Sequence, residues 1–193
     1  MPATSSKLIL ASGSPRRKLL LQEAGYPFDV VVPSEEAECG VCSGETPPEL
    51  VARLAYQKAL DVSTRIGPAL IVACDTVVEC HGQVLGKPRD EDHARQMLRM
   101  LSGREHQVYS GLCVWKVPEQ EPQVEVDRTT LRMDPLDDRR IEDYLATDLW
   151  FGKAGAFGFQ DGFDWLHIVA GSESNVVGLP MELLAKMLAN VDR

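Results

Sequence analysis

Four cations and one carboxylate in this sequence stand where chemistry could use them. Arg16 and Arg17 follow Ser14 and Pro15 in "LILASGSPRRKLL", Lys58 falls on the apolar stripe of a helical pattern, Lys87 sits in "GKP" just after a strand, and Asp75 interrupts the apolar run "ALIVACDTVV". Taken singly, each has an ordinary reading: Arg on a solvated helix turn, Lys58 reaching past its neighbours to water, Lys87 on an exposed loop, Asp75 bonding nearby backbone. Taken together, the cations describe a pocket able to neutralise a polyanion. Carboxylates beside such a pocket point to metal-assisted attack on a phosphate ester or anhydride.

The first helix start sharpens this reading. Leu8, Ile9, Leu10 and Ala11 read as a short buried strand, Gly13 as a turn, Ser14 as an N-cap and Pro15 as the first helical position. The unpaired N–H groups and the positive end of the helix dipole favour Asp or Glu there, so two arginines oppose the local field unless an anion joins them. On that basis, removing Arg16 or Arg17 should leave the ligand-free protein about as stable as before or more so.

Other chemistries find little support. His81, His93, His106 and His167 are scattered without metal-ligand spacing, and no Ser/His/Asp arrangement stands out. Ser12 and Ser14 lack the G-x-S-x-G elbow, and Lys18 lacks the spaced glycines of a Walker A loop. The five cysteines are an odd number in a chain large enough to fold without staples, so reduced thiols are expected. "CGVC" at Cys39 to Cys42 has redox or half-zinc spacing but no second ligand pair, and it falls in a polar loop. Glu35, Glu36 and Glu38 are solvated loop charge by default, and one of them could ligate a cation.

The elements that must position these residues alternate between helix and strand. After the first helix, roughly Pro15 to Ala24 and closed by Gly25, "FDVVVP" reads as a strand. Thr46 and Glu49 form a capping box with Pro47 at the first helical position, and Leu50, Leu54, Val62 and Ile66 mark the buried stripe that also carries Lys58. "ALIVACDTVVEC", a tight turn at His81 and Gly82, and "QVLGKP" read as a hairpin. A helix from Asp90 to Leu101, two long strands "HQVYSGLCVWKV" and "QVEVDRTTLRM", and a helix from about Leu136 to Leu145 follow. The last third holds the glycine-dense "GKAGAFGFQDG", a strand "DWLHIVAG" and a helix opened by Pro180.

Length and composition set the frame. The chain has 193 residues, 44% of them apolar, which predicts one compact domain with a sizeable core. A net charge of −9 argues against coating nucleic acid or an anionic membrane, since both need a basic face. No apolar stretch reads as a secretion signal or a membrane span, so a soluble, cytoplasmic protein is expected.

"LASGSPRR", "QKA", "ACDTVV", "LGKPRD", "LSGREHQVYSG", "GKAGAFGFQ" and "NVVGLP" resemble, in order and over nearly the whole chain, the Maf family of nucleoside triphosphate pyrophosphatases. The resemblance implies one domain over residues 1–193, with residues 1–6 a flexible N-terminus. It further implies an elongated α/β/α fold with a mixed sheet and a cleft between two lobes, related to the inosine-triphosphate pyrophosphatases. The implied activity is metal-dependent hydrolysis of a nucleotide to monophosphate and pyrophosphate, with Mg²⁺ or Mn²⁺ as cofactor. The substrate is then the nucleotide, without nucleic-acid or membrane partners, and a homodimer is a possible assembly. By the same resemblance, Ser12, Arg16 and Arg17 belong to the anion-binding loop, Lys58 and Lys87 contact the triphosphate, Asp75 is the catalytic carboxylate, and Glu38 helps Asp75 hold the metal. Thr76 and Gln160 match positions lining the base pocket.

Within the family, the dTTP/UTP branch has Arg after Ser-Pro, Thr after the Asp and Gln after the glycine-rich turn, where the 7-methyl-GTP branch carries Trp, Gln and Glu. Arg16, Thr76 and Gln160 match the first branch. Phe157 stands where Tyr is usual, Phe159 where Ile is, Cys74 where a smaller residue is common, and Asp161 where Gly is, which adds charge and a Cβ beside the base site. The alternatives are a pyrophosphatase for modified nucleotides such as 7-methyl-GTP, and a nucleotide-binding regulator of septum formation or growth with little turnover. Asp75, Lys58 and Lys87 together favour turnover, because a mere binder needs the cations but no water-activating carboxylate.

Overall fold

The computed structural model describes residues 7–38, without the Glu38 side chain, and residues 44–191. The N-terminal residues 1–6 expected to be flexible, and the "CGVC" motif, lie outside the described residues. Chain order is β1 (Leu8–Ala11), α1 (Pro15–Glu23), β2 (Phe28–Val30), a 3₁₀ turn (Glu35–Glu38), α2 (Pro47–Ser63), β3 (Ala69–Cys80), β4 (Gln83–Leu85), α3 (Glu91–Leu101), β5 (Glu105–Val117), β6 (Gln123–Met133) and α4 (Asp138–Leu145). Two 3₁₀ turns (Ala154–Ala156 and Phe159–Asp161), β7 (Leu166–Ala170), α5 (Glu173–Val177) and α6 (Met181–Val191) complete it.

The local signals explain most of these boundaries. Ser14 caps α1 by accepting from the Arg17 N–H at 3.5 Å, and Gly25 ends it at a φ of +76° that a side chain would resist. Thr46 donates its N–H to Glu49 Oε2 at 2.9 Å, as the capping box requires. The helix stops at Ser63, so Ile66 lies beyond it rather than on its stripe. His81 and Gly82 both take positive φ, the conformation of a two-residue hairpin turn.

The sheet is mixed, with strand order β2-β1-β3-β5-β6-β7 and β4 paired to β3. β1 runs parallel to both β2 and β3, with Ala11 opposite Ala73, while β4 and β7 pair antiparallel to β3 and β6. Two compact units divide the chain. The first takes the chain up to Asp75, Ser110–Asp127 and the chain from Gly178 onward; the second takes Thr76–Tyr109 and Arg128–Val177.

In the first unit the strand alternation sorts the core into two faces. Leu8, Leu10, Val72 and Cys74 pack with Leu21 of α1 and with Leu184, Met187 and Val191 of α6, whereas Ile9, Ala11, Ile71 and Ala73 pack with Ala55, Ala59 and Val62 of α2. This is an α/β/α layering. Each fully buried Leu or Ile contributes roughly 1.5–3 kcal/mol of transfer free energy. On the α2 side the approach is close: a Cβ on Gly111 of β5 would lie 2.1 Å from the Val51 carbonyl oxygen.

The second unit packs α3 and α4 against its strands through Val78, Leu98, Leu101, Leu131, Ile141 and Trp165. His106 is buried in it, 2% exposed and edge-on to Phe157, and its Nε2 has no hydrogen-bond partner among the described residues. Burial pushes its pKa down from 6.5 to about 4. Between those two values the unfolded chain binds a proton that the folded protein refuses, so stability falls as pH drops from 6.5 toward 4. The expected loss is about 3 kcal/mol. Urea midpoints at pH 7 and pH 4.5 should show it in the parent and show a clearly smaller loss in His106→Gln; equal losses would exonerate this histidine.

Cys74, Cys80 and Cys113 are buried free thiols. No helix among the described residues is long and apolar enough to cross a membrane.

Candidate active site

In the first unit, the sequence-predicted residues gather at the carboxyl end of β1 and at the point where the neighbouring parallel strand β3 runs past it, the usual ligand side of such a sheet. Ser12 directly follows β1, and Asp75 lies two residues past Ala73, where the register with β1 ends. Pairing with β4 begins only at Val78. Ser12 is buried, and its Oγ accepts from the Ser14 N–H at 3.1 Å and from Arg17 Nη1 at 3.3 Å. Arg17 Nε donates to the carbonyl oxygen of Gly178 at 2.7 Å, and the Cys74 thiol approaches the same oxygen at 3.3 Å. Gly178 carries a φ of +121°, so glycine in "NVVGLP" fits a backbone that turns its carbonyl toward Arg17.

These contacts correct one expectation. Arg17 is held by a carbonyl and a hydroxyl of its own unit, so it does not wait uncompensated for an anion. Removing it gives up hydrogen bonds to a charged group, a cost of about 1.5–3 kcal/mol, rather than leaving stability unchanged. Arg16 stands beside it, half-buried, in the first turn of α1.

Lys58 does not reach out to water. It is 5% exposed, and its Nζ lies 2.6 Å from Asp75 Oδ1. The helix stripe that buries Ala55, Ala59 and Val62 carries the ammonium inward, and the strand run brings the carboxylate to it. A pair this dry is costly to split, about 3–5 kcal/mol when one partner is removed, because the survivor is a buried unpaired charge.

The loop after β2 is pinned to α2. Ser34 donates its N–H to Asp61 Oδ2 at 3.0 Å and its hydroxyl to Oδ1 at 2.8 Å, and the backbone N–H is the main reason that the Asp61 carboxyl is held below its ordinary pKa. Glu38 closes the 3₁₀ turn that follows, and its side chain lies outside the described residues. Among the described residues no three His, Cys, Asp or Glu side chains group as a metal cage. A magnesium-type ion asks for less: one or two carboxylates, with the rest of its shell from water and phosphate. Asp75, 15% exposed, is a hard oxygen donor of the right kind, so the residues present fit such an ion.

The second unit holds Thr76, Lys87 and Gln160. Thr76 follows Asp75 in β3 and is half-buried; Lys87 and Gln160 are exposed. The "GKP" turn is anchored, because Gly86 accepts from the Gly155 N–H at 3.0 Å. Asp161 does not stand as an open charge: it forms an ion pair with Lys153, and both side chains are under a tenth exposed. Sequence reasoning missed Lys153, although a lysine inside the apolar, glycine-dense "GKAGAFGF" was the available signal. It also missed Asn175, which is buried in α5 and donates to Val108 O at 3.3 Å and Thr129 Oγ1 at 2.9 Å.

Fold and site together define a mixed-sheet α/β protein with a basic helix start and a Lys–Asp pair where β3 runs past the end of β1. The Ham1 protein of Staphylococcus aureus has a similar fold, with a TM-score of 0.56 at 14% identity over 95% of this chain and 98% of that one. A HAM1 protein from Coxiella burnetii gives 0.53 at 14% identity, covering 96% and 99%. The chain belongs to the Maf-like protein family, whose pattern matches residues 7–191. A relative in Rhodopirellula baltica named dTTP/UTP pyrophosphatase is 56% identical over 187 residues, 96% of this chain and 82% of that protein. One of the same name in Clostridioides difficile is 39% identical over 183 residues, covering 94% and 93%.

Proposed function

We infer that this protein hydrolyses dTTP and UTP to the nucleoside monophosphate and pyrophosphate. The observation that carries the reading is the Lys58–Asp75 pair, where β3 runs just past the end of β1, one parallel strand away from Ser12 and the start of α1. The names of the relatives in Rhodopirellula baltica and Clostridioides difficile support the substrate class. Arg16, Thr76 and Gln160 match the pattern of the dTTP/UTP branch.

In this reading Ser12, Arg16, Arg17 and the N–H groups of α1 hold phosphate oxygens, with Lys58 and Lys87 adding charge to the triphosphate. Lys58 occupies Asp75 Oδ1 and fixes the carboxylate, so the other oxygen is the one that meets the attacking water. Asp75 takes the water proton as the water oxygen bonds to the α-phosphorus. The bond from that phosphorus to the α,β-bridging oxygen then breaks, and pyrophosphate leaves with the electron pair. Asp75, with Glu38 as the further carboxylate, would hold a Mg²⁺ or Mn²⁺, which when bound would supply charge stabilisation on the phosphates. Thr76 and Gln160 offer a hydroxyl and an amide to the alternating carbonyl and N–H edge of uracil or thymine.

Incubation with a panel of nucleoside triphosphates tests this directly. Pyrophosphate should be released from dTTP and UTP well ahead of 7-methyl-GTP, and EDTA should stop it. Orthophosphate as the sole product would remove the reading, preference for 7-methyl-GTP would move the chain to the other branch, and saturable binding without turnover would favour a regulator.

A further inference from the structure

The Lys153–Asp161 pair sits at an unusual place. Both partners are buried, and a buried ion pair is a poor device for stability alone, because apolar residues of the same volume usually do as well or better. Its neighbourhood is more telling. A Cβ on Gly158 would lie 2.6 Å from Lys153 Nζ, 2.6 Å from Asp161 Oδ2 and 2.7 Å from Gln160 Nε2. The ammonium, the carboxylate and the amide nitrogen thus converge over the bare Cα of Gly158, in room that any side chain would close. Gln160 and Asp161 are neighbours in one 3₁₀ turn, held by the Asp161 N–H on the Gly158 carbonyl at 3.3 Å.

An amide has two ends of opposite character, and a carboxylate attracts its N–H₂ end while repelling its oxygen. We propose that the Lys153–Asp161 pair positions Gln160: Asp161 draws the amide nitrogen inward, Lys153 holds Asp161 in place, and the amide oxygen is presented outward as an acceptor. This deepens the function proposed above and rests on Gln160 reading the base. An outward acceptor selects for a ring N–H. Uracil and thymine carry a hydrogen on N3, whereas cytosine has a lone pair there, so the pair sets discrimination of UTP over CTP and of dTTP over dCTP. Lys153 and Asp161 are positioning residues in this scheme and touch no substrate.

The experiment compares kcat/KM for UTP and CTP in the parent, Gln160→Ala, Asp161→Asn and the combined Gln160→Ala/Asp161→Asn variant. Asp161→Asn leaves a buried ammonium with a neutral partner, so Lys153→Met/Asp161→Leu, which removes both charges, is carried alongside as the variant that keeps the fold. Both should lower the UTP:CTP ratio by about tenfold or more, since a site built around one hydrogen bond rejects the analogue that lacks it. The ratio should not fall further when Asp161→Asn is added to Gln160→Ala. The Gln160 side-chain amide cross-peak, assigned by its loss in Gln160→Ala, should move toward the random-coil position in the charge-free variant. If Gln160→Ala shifts the ratio but neither ion-pair variant does, the positioning role is overturned and base reading by Gln160 stands. An unchanged ratio in Gln160→Ala itself removes base reading, and the positioning role falls with it. An equal shift with and without Gln160 shows that the pair acts by another route, and an unmoved amide signal in a folded charge-free variant also overturns the proposal.

Discussion

Asp75→Asn is expected to lower kcat for dTTP by at least about a hundredfold while the protein stays folded. The substitution keeps the shape of the side chain, and an amide oxygen can still accept from Lys58 Nζ, which in the parent lies 2.6 Å from Asp75 Oδ1. What it removes, under the proposed mechanism, is the basic oxygen that would take a proton from water and the negative charge that would hold a cation. Pyrophosphate release at saturating dTTP, read beside the thermal melt, separates the two parts of the claim. A folded variant within threefold of the parent kcat would reduce Asp75 to the structural half of a buried pair. Lys58→Met makes the complementary case, because it leaves a largely buried carboxylate without its ammonium partner and should cost stability as well as rate.

Gly111→Ala should be severely destabilising. The new carbon would stand 2.1 Å from the Val51 oxygen, 2.3 Å from the Val51 carbonyl carbon and 2.7 Å from the Ala52 nitrogen. All three are backbone atoms of α2, so no rotamer change relieves the overlap. The helix must shift away from β5, taking with it Ala55, Ala59 and Val62 from the core, and Lys58 from Asp75. A loss of at least about 3 kcal/mol follows, near the upper end for overpacking. For a chain of this length that is roughly 6–12 °C in Tm, or failure to accumulate as folded protein. Gly67→Ala is the control, since nothing lies within 4 Å of its Cβ position and its φ is ordinary. Equal melting of the two variants would mean that α2 is looser than its packing indicates.

Gly111 also shows what a single sequence discloses. A glycine inside the strand run "HQVYSGLCVW" is the general sign of a close backbone approach, but the partner can be identified only once the helix is seen against the strand. The elements with strong local signals were legible: α2 from its capping box and stripe, β3 from the apolar run that Asp75 interrupts, the hairpin from His81 and Gly82. α5 was not, because "SESNVV" has no apolar period and Asn175 is held by side-chain bonds to Val108 and Thr129, both distant in sequence. For the site, Lys58 and Asp75 were visible as charges in apolar patterns, and the structure pairs them. Lys153 and Asp161 were not seen as a pair, since they stand eight residues apart in a segment with neither helical nor strand period. Arg17 was legible as an arginine at a helix start, yet its acceptor, Gly178, is 161 residues away.

The first unit is not finished until α6 exists. Its core uses Leu184, Met187 and Val191 of α6, and Arg17 leans on Gly178. During synthesis the ribosome releases β1, α2 and β3 long before α6, at a pace of roughly 5–20 residues per second. Until then Leu10, Leu21 and Val72 lack the helix that covers them. The nascent chain therefore spends seconds with an apolar sheet face open, and completes this unit only once α6 has emerged. Loss of even the final helix turn, by a premature stop codon or by proteolysis, should reach back to the first strand and leave a polypeptide that chaperones retain.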